Sequence, residues 1–247
     1  MKKIIAFDLD GTLAASKQAI DKKMARLFCA LLEMFPVCVI SGGDWPQFER
    51  QLLGQLLATA KLNDLYLMPT SGTKLYRFAK AWREVYADPF TAAERERILA
   101  ALNTALTEAG IDDKKIWGER IEDRGTQITF SGLGQSAPLD AKAKWDPDRI
   151  KRNRLKDLLE KDISDVSVRI GGATSVDITR PGVDKAYGMH QLAKASGLSV
   201  SDILFMGDAM YAGGNDAPVR LAGIASLAVR DIVDTKLAVE TIIKLAA

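Results

Sequence analysis

Two aspartates, Asp8 and Asp10, close an apolar run, Ile4-Ile5-Ala6, and stand just before Gly11-Thr12. Residues two apart on a strand face the same side, so both carboxylates are expected beyond the C-terminal end of a buried strand. In an open α/β sheet that is where ligands bind. Carboxylates held this close repel, and such a pair persists where a cation sits between them or where it does acid/base chemistry. Late in the chain, Met206-Gly207-Asp208 ends another apolar run in an acid, and Gly213-Gly214-Asn215-Asp216 adds a second on a glycine loop. If the two runs are neighbouring strands, Asp208 meets Asp8 and Asp10 across a crevice. Such a set suits a hard divalent ion, and Mg²⁺ best, because it binds through few carboxylates and keeps positions for water and phosphate oxygens. Ser41-Gly42-Gly43-Asp44 ends a third run with a hydroxyl and flexible backbone able to donate to a phosphate. Lys185 opens a helical pattern and could offset the negative charge. Each piece also has a plainer reading, as an Asp-Gly or Ser-Gly-Gly turn or a solvated lysine.

The elements that must position these residues follow a pattern. Ile20, Met24, Leu27, Phe28, Leu31 and Leu32 recur at helical spacing before the strand Val37-Cys38-Val39-Ile40. A second helix is expected through Phe48, Leu52, Leu53, Leu56 and Leu57, then a strand at Leu65-Tyr66-Leu67-Met68. Strand and helix alternate over the first eighty or so residues, the signature of a parallel sheet. From Trp82 the texture changes. Thr91 to Ala109 reads as one long helix opened by a capping box, Asp148 to Lys161 as another. Gln127-Ile128-Thr129-Phe130 alternates like a half-buried strand, and Val166–Ile170 with Ser175–Ile178 reads as a strand pair around Gly171-Gly172. The expected architecture is therefore an α/β core with a parallel sheet, residues 1–81 and 182–247, carrying an inserted α+β domain at 82–181.

Composition narrows the function further. With 47% hydrophobic and 27% charged residues and a net charge of +2, the chain reads as an ordinary globular protein with no bias toward nucleic acid or an anionic membrane. The N-terminal apolar run is too short for a signal peptide or a membrane span, which predicts a cytoplasmic protein. Cys29 and Cys38 lie in apolar contexts and are expected as buried free thiols. The only histidine, His190, falls in a helical pattern, so catalysis must rest mainly on carboxylates.

The ordered set Asp8-Leu9-Asp10-Gly11-Thr12, Ser41, Lys185 and Gly207-Asp208…Gly214-Asn215-Asp216 resembles the four motifs of the haloacid dehalogenase superfamily, and the insertion between the second and third motifs resembles its subfamily IIB. Asp123-Arg124-Gly125-Thr126, Gly171–Asp177, Gly182-Val183-Asp184-Lys185 and Gly207–Asp216 are similar to the eukaryotic-type phosphomannomutases. The resemblance implies a haloacid-dehalogenase-like Rossmannoid core with a cap that closes over the site and selects a phosphosugar. It implies that Asp8 is the nucleophile, Asp10 the general acid/base, and that Asp8, the Asp10 backbone carbonyl, Asp208 and Asp216 serve Mg²⁺. Ser41, with Gly42, and Lys185 would contact the transferring phosphate, and Arg124, Ser175 and Asp177 the sugar and its distal phosphate. A homodimer is compatible with it. Two departures stand out: Lys17 and Gln135 occupy places where those mutases carry arginines. A weaker hold on a second phosphate favours a phosphatase over a mutase, although Arg120, Arg149, Arg152, Arg169 and Arg180 could compensate. A non-catalytic sugar-phosphate-binding protein is the remote alternative, disfavoured because both motif aspartates are intact.

Overall fold

The computed structural model describes residues 2–246, which form two compact units: residues up to Ala87 together with those from Asp184, and Asp88–Val183 between them. The first unit holds a seven-stranded sheet in the order β11-β10-β1-β2-β3-β4-β5. Its strands are β1 (Ile4–Asp8), β2 (Val37–Ile40), β3 (Leu65–Met68), β4 (Lys74–Ala79), β5 (Ala81–Ala87), β10 (Ile203–Gly207) and β11 (Ser226–Ala228). From β11 to β3 all neighbours are parallel, so the C-terminal ends of β1, β2 and β10 lie along one edge.

Both faces of the parallel part of that sheet are covered, which is why β1, β2, β3 and β10 are continuous apolar runs rather than alternating ones. Ile5, Phe7, Val37, Val39, Leu65 and Leu67 pack on one side with Met24, Phe28 and Leu31 of α1 (Lys22–Leu32) and Val239 of α8 (Ile232–Ala246). Ile4, Ala6, Cys38, Ile40, Met68 and Phe205 pack on the other with Met189 and Leu192 of α6 (Lys185–Ser196). Cys29 and Cys38 are buried and free, and His190 is exposed.

Three expectations need correction here. The insertion begins at 88 rather than 82, because 82–87 belong to β5, which hairpins antiparallel onto β4 across Lys80 and extends the core sheet. The first eighty residues are thus not purely strand–helix alternation. The helix expected through Leu57 ends early: α2 is Trp45–Gln51, followed by a short 3₁₀ turn at Leu53–Gln55, and Leu57 is exposed. Gly54 in that stretch lowers helix propensity.

The second unit is a four-stranded antiparallel sheet ordered β6-β7-β9-β8, from β6 (Ile121–Asp123), β7 (Ile128–Ser131), β8 (Ser167–Ile170) and β9 (Ser175–Thr179). Its apolar face, Ile128, Phe130, Val168, Val176 and Ile178, packs on Ile98 and Leu102 of α3 (Ala92–Ala109) and Leu155 and Leu159 of α5 (Ile150–Asp162). The capping box that opens α3 is formed, Thr91 with Glu94. A further helix, α4 (Leu139–Trp145), was not expected from the pattern. Alternation puts Thr129, Ser131, Ser175, Asp177 and Arg169 on the sheet's other face. Among the described residues no helix is long and apolar enough to cross a membrane.

Candidate active site

The end of β1 and the connection after β10, both at the C-terminal edge of the parallel sheet, supply the acids. β1 ends at Asp8, β10 ends just before Asp208, and the loop after β10 leads to Asp216 at the start of α7 (Ala217–Leu221). One carboxylate oxygen from each of Asp8, Asp208 and Asp216 lies within 4.8 Å of the other two. Lys185, the first residue of α6, enters from the side: Asp184 caps the helix by accepting from Tyr187 N at 2.9 Å. Lys185 Nζ donates to Asp8 Oδ1 and Asp216 Oδ1, both at 2.5 Å, and the lysine is 2% exposed. Asp216 Oδ2 is held by Ala209 N at 2.9 Å, and Thr12 Oγ1 donates to Asp208 Oδ1 at 3.3 Å. Gly11, at φ +90°, permits the approach: a Cβ there would lie 2.5 Å from Asp208 Oδ2.

The electrostatics follow from this crowding. Burial raises the Asp8 carboxyl well above the usual carboxylate range; Asp216 and Asp208 push it up further and Lys185 pulls it down. Asp208 is also raised, by burial and then by Asp216. Burial works against the Lys185 charge, but Asp216 and Asp8 outweigh it and hold the ammonium above its ordinary range. Three carboxylates against one ammonium leave negative charge in excess, and an all-oxygen donor set of this kind fits a hard divalent cation.

The strand period does not extend to Asp10. β1 stops at Asp8, and the Asp10 carboxylate lies outside the trio, receiving hydrogen bonds from Lys17 N and from Gln47 and Gln51 of α2 instead. Neither glutamine carries a sequence motif; the only available signal was two amides four apart on one helical face. Ser41 is buried at the end of β2, its Oγ accepting from Gly43 N at 3.1 Å. The Ser41–Gly43 turn is pinned by Ser71 N to Ser41 O at 2.9 Å and Thr70 N to Gly43 O at 3.0 Å. Lys74 Nζ pairs with Asp44 at 2.8 Å just beyond it.

In the second unit, Asp177 Oδ1 accepts from Thr129 Oγ1 at 2.7 Å and Gln127 Nε2 at 3.0 Å, and the Ser175 and Ser131 hydroxyls lie 3.4 Å apart. Gln135 Nε2 donates to Ser131 Oγ at 2.8 Å, and Arg124 pairs with Glu122. Arg152 is engaged by Asp146, and Arg180 by Glu94 and Asp88. Arg120 donates to Ile111 O and lies over the Phe130 ring. Arg149 sits at the start of α5. Arg169 is exposed and directly opposite Asp177 in the ladder.

The C-terminal ends of the parallel strands thus gather three acids, two of them paired with a buried lysine. Solved structures share the fold: a haloacid dehalogenase-like hydrolase from Bacteroides thetaiotaomicron matches with a TM-score of 0.66 at 14% identity, covering 98% of this chain and 100% of that one. An IMP-bound IMP-nucleotidase from Plasmodium falciparum, truncated at its N-terminus, matches with a TM-score of 0.69 at 17% identity, over 98% and 68%. Residues 24–245 match the family described as eukaryotic phosphomannomutase, and the chain belongs to that family. A phosphomannomutase of Schizosaccharomyces pombe is 26% identical over 222 residues, 87% of this chain and 84% of the relative.

Proposed function

We propose that the chain transfers a phosphoryl group from a phosphosugar through an aspartyl-phosphate on Asp8, with Mg²⁺ as its cation and water as the preferred acceptor. The observation that carries this reading is the Asp8–Asp208–Asp216 trio, in which Lys185 bridges the buried Asp8 and Asp216. Asp8, Asp208 and Asp216 would hold the cation, which supplies charge neutralisation for the phosphate. An Asp8 oxygen attacks phosphorus, its new bond forming as the bond from phosphorus to the sugar oxygen breaks, and Asp10 gives that oxygen a proton. Asp10 then takes a proton from water, the water oxygen bonds to phosphorus, and the bond to Asp8 breaks. Inorganic phosphate leaves with both aspartates restored. Lys185 offsets the repulsion between an anionic nucleophile and an anionic phosphate. Ser41 and Gly42 stand in the pinned turn at the end of β2 as phosphate donors, and Arg124, Ser175 and Asp177 are the proposed sugar-recognition residues.

Hydrolysis is favoured over isomerisation by what stands at the two departures. Lys17 Nζ is bonded to Gln47, and Gln135 offers only an amide, itself bonded to Ser131. Mutase activity, interconverting mannose 6-phosphate and mannose 1-phosphate, is the second reading and rests on family membership. A cytoplasmic setting goes with either. The test supplies Mg²⁺, mannose 1-phosphate and catalytic glucose 1,6-bisphosphate and follows free phosphate and mannose 6-phosphate together. Phosphate should appear faster than the isomer. Many isomerisations per phosphate released would reverse the preference, and full activity in EDTA would overturn the metal-dependent reading itself.

A further inference from the structure

Asp10 sits in a socket built mainly by α2. Its Oδ1 accepts from Lys17 N at 2.8 Å and Gln51 Nε2 at 2.9 Å, while Oδ2 accepts from Gln47 Nε2 at 2.9 Å. Gln47 and Gln51 are 5% and 2% exposed, one helical turn apart, so α2 presents their amides side by side. A glutamine can offer either its NH₂ or its carbonyl, and here the choice is made by a neighbour. Lys17 Nζ donates to Gln47 Oε1 at 2.5 Å, which leaves Gln47 Nε2 to face Asp10. Gln51 Nε2 is fixed in the same sense by the Gln18 carbonyl at 2.6 Å. Lys17 reaches this place from a left-handed backbone, φ 60°, which a residue with a Cβ adopts only when its surroundings hold it there. Gly43 leaves the space that the Gln47 amide fills, since a Cβ at that position would collide with it.

We infer that Lys17 and Gln47 are a positioning pair that holds the Asp10 carboxylate in one orientation toward the leaving and incoming oxygens. Lys17 N and Gln51 Nε2 hold Oδ1, and Gln47 Nε2 holds Oδ2. The Lys17 ammonium polarises the Gln47 amide and strengthens its N–H bond to Oδ2, holding the carboxyl in one rotamer through both half-reactions. The inference rests on the phosphoryl-transfer reading above. It gives the Lys17 side chain a task other than gripping substrate phosphate.

The test compares phenyl phosphate with p-nitrophenyl phosphate in wild type, Lys17→Met, Lys17→Arg and Gln47→Glu. The readout is the ratio of the two kcat/KM values, which covers only the steps through departure of the first leaving group. That ratio is also independent of how much of each preparation is folded. The p-nitrophenolate leaves without a proton, whereas phenolate profits from one. For Lys17→Met, kcat/KM should fall ~10–100-fold with phenyl phosphate and less than ~3-fold with p-nitrophenyl phosphate. Gln47→Glu keeps the shape and the bond to Lys17 but aims an acceptor at Asp10, so its ratio should shift at least as far. Lys17→Arg should restore the wild-type ratio. Equal losses on both substrates in Lys17→Met and Gln47→Glu would overturn the inference and leave the function standing. Wild-type protein that hydrolyses neither ester would overturn the hydrolytic reading and this inference with it.

Discussion

Replacing Lys185 by methionine keeps most of the side-chain volume and removes the ammonium that bridges Asp8 and Asp216 at 2.5 Å each. The lysine is 2% exposed, so water does not take its place, and the acids of the trio remain within 4.8 Å of one another. Breaking a buried ion pair by deleting one partner costs about 3–5 kcal/mol, because a desolvated charge is left uncompensated. That cost depends on pH. Asp8 is already held above its ordinary range, and without Lys185 it loses the charge that lowers it. A carboxyl raised in the folded state contributes stability below its unfolded pKa of about 4 and loses it as pH climbs through the folded value. The loss on Lys185→Met should therefore be smaller at about pH 5 and approach the full about 3–5 kcal/mol at about pH 8, read from urea midpoints in EDTA. Magnesium at a hundredfold excess over Kd should return about 2.7 kcal/mol to the variant. A loss under about 1 kcal/mol, equal at both pH values, would refute the claim that Lys185 neutralises this cluster.

Asp8→Asn should abolish turnover by at least about a thousandfold and leave no acid-labile phosphoprotein on rapid quench, with an unchanged circular dichroism spectrum; residual turnover near wild type would sink the covalent route. Gly11→Ala forces a Cβ to within 2.5 Å of Asp208 Oδ2 at φ +90°. It should cost about 1–3 kcal/mol of stability and raise the Mg²⁺ concentration for half-maximal activity, measured by titration after EDTA treatment; an unaltered titration would separate Asp208 from the metal.

The strands buried on both faces were legible because sequence alone records such burial as unbroken apolar runs, as in Ile4–Phe7 and Val37–Ile40. The β4–β5 hairpin was not. Arg83 and Glu84 are exposed on the edge strand β5, where side chains answer to water rather than to a fixed period, and Trp82 seemed to open a new domain although its ring packs near Trp45 and Phe78. The meeting of Asp8, Asp208 and Asp216 with Lys185 was legible because each stands at a strand end or helix start and their order resembles a known set of motifs. The glutamines around Asp10 were not, since an amide on a helix has no preferred partner until the tertiary fold brings one.

The insertion also governs the order in which the protein can be completed at the ribosome. β1 lies between β2, translated soon after it, and β10, which follows the whole second unit. Until Ile203–Gly207 emerges, β1 is an open edge, and Asp8 waits through 177 positions of sequence for its lysine. The second unit is contiguous and complete in the chain before the first can close. The nascent N-terminal segment therefore exposes an apolar strand edge for most of synthesis, the kind of surface that holding chaperones bind.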